Sequence, residues 1–333
     1  MTVRGWLKLF TSPTGYATRR WLFRNQSEAC ILPGICTDTY NRNPDNRTLV
    51  KLIASLPWYD LTATQHQLDN FWQTMRACLS VEIADQLAGQ SYGQRSESSV
   101  IELPEQLDRQ TPLDQQWQSR ALLISQCCGP DLFTPQASEL VAVARPVFSD
   151  LDCRPGNYFS HIVTAASPRS GKRLVVNSPS SRSGCNALLE WFDAQGWQAD
   201  QYLVSGSHEA SLQLIREGRA DYAAIDAHSW NLLSQTEADN GVVIIDQSSE
   251  APAPPYVTHR ANPLSTDILL SALQQSVALN GQQLGIIDIL PTDIEVYRCM
   301  QTPSATGWRC NTPLTDLHVH CTADNLPWQI SCL

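Results

Sequence analysis

Between Leu174 and Ile245 the chain repeats one pattern: a short apolar run, a loop of small polar residues, then apolar residues at helical spacing. Leu174, Val175 and Val176 make a run of strand length, and the following span from Asn177 to Gly184 is rich in hydroxyls. Ala187, Leu188, Trp191 and Phe192 then recur with a helical period, which starts a helix near Gly184. Gln201 to Val204 leads through Ser205, Gly206, Ser207 and His208 into a helix carrying Ala210, Leu214 and Ile215. Asp221 to Ile225 ends at Asp226, and Gly241 to Ile245 is one more strand. Strands alternating with helices predict an α/β fold of mostly parallel sheets flanked by helices.

In sheets of that kind ligands gather beyond the carboxyl ends of the strands. The residues standing there are Trp58, Tyr59, Cys127, Ser180, Ser181, Ser183, Ser207, His208 and Asp226. The loop before Gly184 carries the clearest chemistry. A hydroxyl-rich loop entering a helix gathers unpaired backbone N–H groups and the positive end of the helix dipole, which receive phosphate-like or carboxylate anions. Each residue also has a plainer reading. Ser181 or Ser183 can serve as a helix cap, Asp226 can cap the segment after it, His208 can cap the helix after Ser207, and Trp58 and Tyr59 can be core aromatics. Arg182 reads as an exposed surface residue, and His66 and His161 as ordinary helix and strand residues.

Ahead of the repeat, strands are predicted at Leu49–Ala54, Ala121–Ser125, Leu140–Val147 and Tyr158–Ala165. A helix between the first two carries Leu68, Phe71, Trp72, Met75 and Leu79 on one face. Asp152 to Gly156 (DCRPG) reads as a hinge turn and Gln247 to Pro255 (QSSEAPAPP) as a linker. Beyond it come a strand at Tyr256–Thr258 and a helix carrying Leu269, Leu270, Leu273 and Val277. Residues 1–48 and the tail from about Pro303 hold no sustained period, so both read as poorly ordered extensions. An upstream translated region, with the start at Leu49 or Val50, is one account of the first.

Charge narrows the function. A formal net charge of -10 leaves no basic stripe for nucleic acid. It also provides no long-range steering for an anion, so an anion site here must rest on local dipoles and hydroxyls. No apolar run reaches the length of a membrane span, and the N-terminal apolar stretch is shorter than a signal-peptide core. As written, the chain predicts no export signal. Eleven cysteines are too many to be all paired within the chain, being odd in number, and none forms a CxxC pair. His318, His320 and Cys321 make only a weak local cluster, so neither a metal nor a cofactor is expected. Cys127 and Cys128 have no His/Asp arrangement beside them that would make a nucleophile, which argues against an enzyme.

LIASLPWYD, ALLISQCCG, GNYFSHIV, VNSPSSRSGCNAL, VSGSHEASLQLIREGRADYAAIDAHSW and PYVT, in this order, resemble the phosphate/phosphite/phosphonate substrate-binding proteins of ABC importers. The resemblance covers residues 49 to about 300. It implies a type 2 periplasmic-binding-protein fold of two α/β lobes, with the chain crossing between them near Leu151–Tyr158 and Ser248–Tyr256. Residues 49–150 and 256–302 would then form the first lobe and 151–255 the second. It further implies that Ser181 and Ser183 receive the anion's oxygens and that Ser180, His208 and Asp226 stand beside them. Tyr59 and Cys128 would close over the ligand from the other lobe, where the family often has an aromatic or hydroxyl residue in place of cysteine. The implied activity is non-catalytic capture of a small oxyanion by a periplasmic monomer that serves an ABC permease. The alternatives are a cytoplasmic ligand sensor or an enzyme on the same scaffold.

Overall fold

A chain that leaves one sheet, builds a second and returns to the first must run outward and homeward strands side by side. The computed structural model, which describes residues 30–33, 40–42, 48–88, 98–167, 170–234 and 241–301, has this plan. It begins with β1 (Cys30–Pro33), β2 (Tyr40–Arg42), β3 (Thr48–Lys51) and β4 (Ile53–Ala54), then α1 (Gln65–Ala88) and β5 (Ser98–Glu102). A small sheet orders them β1-β5-β3-β2, while β4 joins the next sheet. The single strand expected over Leu49–Ala54 is therefore divided between two sheets. Strands β1 and β2 also fall inside the segment expected to be an extension. Runs of four and three residues are too short to show a period. The rest of 1–47 and the whole of 302–333 lie outside the described residues.

After α2 (Leu113–Gln118), β6 (Leu122–Gln126) and β7 (Leu140–Phe148), the chain crosses through β8 (Asn157–Tyr158). The second lobe holds β9 (Ser160–Ala165), β10 (Arg173–Val176), α3 (Ala187–Ala194), β11 (Gln201–Val204), α4 (His208–Arg216), β12 (Tyr222–Asp226), α5 (Ala227–Ser234) and β13 (Val242–Gln247). The chain returns through β14 (Ala251–Pro252) to β15 (Tyr256–His259), α6 (Thr266–Asn280) and β16 (Ile286–Pro291). The two larger sheets are ordered β16-β7-β15-β6-β4 and β11-β10-β12-β9-β13. Strand β14 lies within the segment that composition marked as a linker, and it pairs antiparallel with β8, Ala251 opposite Tyr158.

The sheets are mixed, which corrects the expectation of mostly parallel ones. Strands joined through helices do run parallel, as β10 does with both β11 and β12. Strands next to a crossing do not. Outward β7 pairs antiparallel with homeward β15, and inward β9 with outgoing β13. Apolar periodicity reports burial but not direction, so the repeat hid this difference.

The second sheet is covered on both faces. Val163, Val175, Leu203, Ala223 and Ile225 pack with Leu212 and Ile215 of α4. Their neighbours Ile162, Leu174, Val176, Tyr202 and Ala224 pack with Leu188 and Phe192 of α3. Successive strand residues point to opposite faces, so double coverage requires the unbroken apolar runs seen in the sequence. The expected helix face is equally clear in α1, where Leu68, Phe71, Trp72, Met75 and Leu79 are all buried.

Gly156 ends the first crossing's turn at φ +74°. A Cβ there would lie 2.8 Å from Arg145 Nε and 2.9 Å from Leu290 Cδ1, while the Gly156 carbonyl accepts from Ala253 N–H on the return crossing. The left-handed backbone alone costs an L-residue roughly 1–2 kcal/mol, and the collisions add to it. Gly156→Ala is therefore expected to lower the unfolding free energy by at least about 1 kcal/mol in urea titration. An unchanged midpoint and slope would refute this account of the turn.

Candidate anion-binding site

Strand β10 ends at Val176, and its loop closes on Ser181, an extended residue whose side chain accepts the Gly184 N–H at 3.0 Å. Residues Arg182–Asn186 then form a widened π-helical turn before α3, with the N–H groups of Cys185 and Asn186 both directed to the Ser181 carbonyl. A Cβ on Gly184 would come 1.9 Å from Asn177 Oδ1, so a side chain there would displace the Asn177 amide. The turn brings the Ser183 hydroxyl to 3.0 Å from His208 Nε2 and 3.5 Å from the Ser181 hydroxyl. His208 opens α4 but does not cap it. That task falls to Ser207, which accepts from Ala210 N–H.

Asp226 caps α5, one of the roles open to it in the sequence, and also bonds the other lobe. Oδ1 accepts the Ser229 N–H at 2.8 Å, capping α5, and Oδ2 accepts the Tyr59 hydroxyl at 3.2 Å from the other lobe. Tyr59 sits at φ +68°, and among the described residues it is the non-glycine with positive φ. A bulky residue held in that region stores strain, which concentrates at functional sites. Cys128, just past β6, accepts the Arg182 N–H at its sulfur, 3.3 Å away. Its own N–H donates to Asp131, which also reaches Ser180.

Six of the seven expected residues fall into three contacts: Tyr59 with Asp226, Ser181 and His208 with Ser183, and Cys128 with the Arg182 N–H. Tyr158 links them by bonding Ser183 within electrostatic reach of Cys128 and Asp226. Ser180 stands apart on the exposed rim, near Ser178 and Asp131. Cys127 is buried, and Trp58 is half-buried with its N–H on the Gln126 side chain. The sequence reading missed Tyr158. Taken only as a strand residue, it is buried on the first crossing and hydrogen-bonded to Ser183. Its position at a lobe crossing was the available signal. Arg182 is not the exposed residue expected. Its side chain is 11% exposed and pairs with Glu190 at 2.8 Å, because the wide turn folds it back over α3.

Burial sets the protonation of the cluster. It pushes the His208 imidazole down to about 4, against the favourable contact with the Ala224 backbone, so the ring is neutral near pH 7. It raises the Asp226 carboxyl despite the opposing Ser229 N–H, the His228 charge and the Tyr59 hydroxyl. Tyr59 and Tyr158 are held well above their ordinary values, also by burial. Burial takes the Cys128 thiol up to about 12, and it raises Cys127 well above its usual range, so neither offers a thiolate at neutral pH. The cluster offers hydroxyl donors and the Asp226 carboxyl group, with the adjacent cation already committed to Glu190.

A cavity of about 220 Å³ lies behind the loop, between Arg182, Asn186, Glu190 and the return crossing at Glu250, Ala251 and Pro252; its lining does not include the hydroxyl cluster. Among the described residues no group of three or more His, Cys, Asp or Glu could hold a metal ion, and no helix is long and apolar enough to cross a membrane. His318, His320 and Cys321 lie outside those residues.

Residues 147–277 match the family model described as "ABC transporter, phosphonate, periplasmic substrate-binding protein". No curated protein sequence matches the chain. Among solved structures, the fold is similar to that of PhnD1 from Prochlorococcus marinus in complex with methylphosphonate. The TM-score is 0.51 at 16% identity, over 76% of this chain and 96% of that one. A binding-protein component of an ABC phosphonate transporter from Pseudomonas aeruginosa gives 0.51 at 13% identity, over 74% and 83%. A Xanthomonas citri protein bound to ATP gives 0.50 at 10% identity, over 76% and 94%. Likeness at such identity establishes the fold and leaves the ligand open. The match to the phosphonate substrate-binding family model is confined to residues 147–277, and the fold of the chain is the two-lobed one of type 2 periplasmic-binding proteins.

Proposed function

We propose that this chain is a non-catalytic solute-binding protein that holds one small tetrahedral oxyanion, a phosphonate, phosphite or phosphate, between its lobes and presents it to an ABC permease. The observation that carries the reading is the meeting of Ser181, Ser183, His208 and Asp226 from the second lobe with Tyr59 and Cys128 from the first. Hydroxyls and the N–H groups of a widened turn suit an anion's oxygens, and charge-assisted bonds to them are stronger than neutral ones. Asp226 suits the remaining corner of such a ligand. A monoprotonated oxyanion carries one P–OH donor, and an aminoalkyl substituent carries N–H donors, either of which a carboxylate accepts. The phosphonate family match and the methylphosphonate in PhnD1 point to the same ligand class. The family match favours a periplasmic setting and a transporter partner as well. Against an enzyme stand two buried thiols that stay protonated at neutral pH.

A thermal-shift panel of phosphate, phosphite, methylphosphonate, aminoethylphosphonate, sulfate and simple carboxylates tests the proposal. A specific ligand at about a hundred times its Kd stabilises a protein by about 2.7 kcal/mol. The expected result is a clear rise in Tm with at least one phosphorus oxyanion and none with the carboxylates. A panel that leaves Tm unmoved throughout would refute the proposal.

A further inference from the structure

One face of α5 reaches across to the other lobe beside the anion site. His228, Asn231 and Leu232 share that face at i, i+3 and i+4. His228 is buried, and its Nδ1 lies 2.9 and 3.0 Å from the two carboxylate oxygens of Asp150. Asn231 Nδ2 donates to the same carboxylate at 2.8 Å, and Leu232 is buried in the first lobe's apolar core. The imidazole stacks on Phe148, with centroids 4.4 Å apart, and meets the Tyr59 ring edge-on at 4.7 Å. Gly285 closes the seat, since a Cβ there would stand 2.8 Å from His228 Cε1. Phe148, Asp150, Tyr59 and Gly285 belong to the lobe of β7 and β16, whereas His228 follows Asp226 by two residues at the end of β12.

Tyr59 is shared between the two arrangements. Its hydroxyl faces Asp226 inside the anion site, and its ring rests on His228 outside it. Seating His228 therefore sets Asp226 against Tyr59. The side-chain hydrogen bonds of the seat run from His228 and Asn231 to Asp150 and reach none of Ser181, Ser183 or His208, so the Asp150 contact acts on the distance between the lobes.

We propose that His228 and Asp150, with Asn231, form an interlobe latch that holds the closed form and sets how long the ligand stays bound. This rests on the reading of the site as one that closes on an oxyanion. In such a device the latch residues are positioning residues. Loosening the Asp150 contact speeds release and leaves ligand preference unchanged, because each ligand is held by the same hydroxyls in the same closed form.

The test uses Asp150→Asn, His228→Ala and the double variant. It has two readouts: stopped-flow binding of methylphosphonate, phosphite and inorganic phosphate, and small-angle X-ray scattering of each protein without ligand. Asp150→Asn is expected to raise koff about tenfold with kon within about twofold of the parent and the order of ligands unchanged. The double variant is expected to release no faster than His228→Ala alone, the signature of one shared interaction. Scattering should show a larger radius of gyration for Asp150→Asn than for the parent. Parental koff and radius in Asp150→Asn, with or without a lower Tm, would overturn the latch and leave these residues a fixed pivot. Additive effects in the double variant would overturn it too. If the parent binds none of the three anions, the oxyanion reading fails, while the radius of the ligand-free variants still decides the latch.

Discussion

Replacing Asp226 by asparagine is expected to cut the preference for a monoprotonated phosphonate over sulfate by between about tenfold and a hundredfold. The buried Asp226 carboxyl is joined to the other lobe through Tyr59. Beside it, a ligand that keeps one acidic proton gains a charge-assisted hydrogen bond, and a fully ionised sulfate meets a second negative charge with no proton to share. A hydrogen bond to a charged group contributes about 1.5–3 kcal/mol, and each 1.4 kcal/mol is about tenfold in affinity. An amide of the same shape can donate to either anion, so the penalty against sulfate goes and the gain for phosphonate shrinks. Specificity of this sort lies in the repulsive element as much as in the attractive one. The substitution preserves the fold, since the oxygen of the new amide would still accept the Ser229 N–H that Asp226 Oδ1 holds at 2.8 Å. Isothermal titration of methylphosphonate and sulfate, at a pH where the phosphonate retains its proton, gives both affinities. An unchanged ratio would remove Asp226 from the ligand's side of the cluster.

The same residues show how far a sequence of this kind can be read. Strands β6, β7, β9, β10 and β12 are largely buried and mostly apolar because their sheets are covered on both sides, and burial of that kind is what composition reports best. The loop from Ser181 to Gly184 was legible for another reason: a strand that stops, hydroxyls and a helix period together fix a turn locally. Tyr158 and the fate of Arg182 were not legible. Tyr158 matters because the first crossing places it against Ser183, and Arg182 is covered because a π turn, not a regular α turn, swings it to Glu190. Both depend on where distant or irregular backbone lies, for which a local pattern holds no signal. The His228 seat was hidden in the same way. Its partners are Asp150, 78 positions away, and Tyr59, whose left-handed backbone no neighbouring residue announces.

Acid titration is where the cluster's burial should become measurable as stability. His208 has an ordinary value of 6.5 and is held at about 4 in the folded protein. Between those limits the unfolded chain binds a proton that the folded one refuses. Stability is therefore intact above about pH 6.5, falls as pH drops, and reaches its full loss below about 4. Asp131 runs the other way. Burial raises it from 3.8 to about 6, so the folded protein keeps a proton that the unfolded chain gives up, and stability falls as pH rises through that window. At about 1.4 kcal/mol per pH unit of displacement, each effect is on the order of 3 kcal/mol, and they oppose one another over nearly the same range. His208→Gln, which keeps a polar partner for Ser183, is expected to expose the Asp131 effect, so that this variant gains stability relative to the parent at about pH 4.5 compared with about pH 7. Asp131→Asn is expected to expose the His208 effect and lose stability at the lower pH by the same comparison. Urea unfolding of the three proteins at the two pH values measures the differences directly. Variants that both follow the parent would mean that water reaches His208 and Asp131, and a wet cluster of that kind would weaken every hydrogen bond assigned to the anion site.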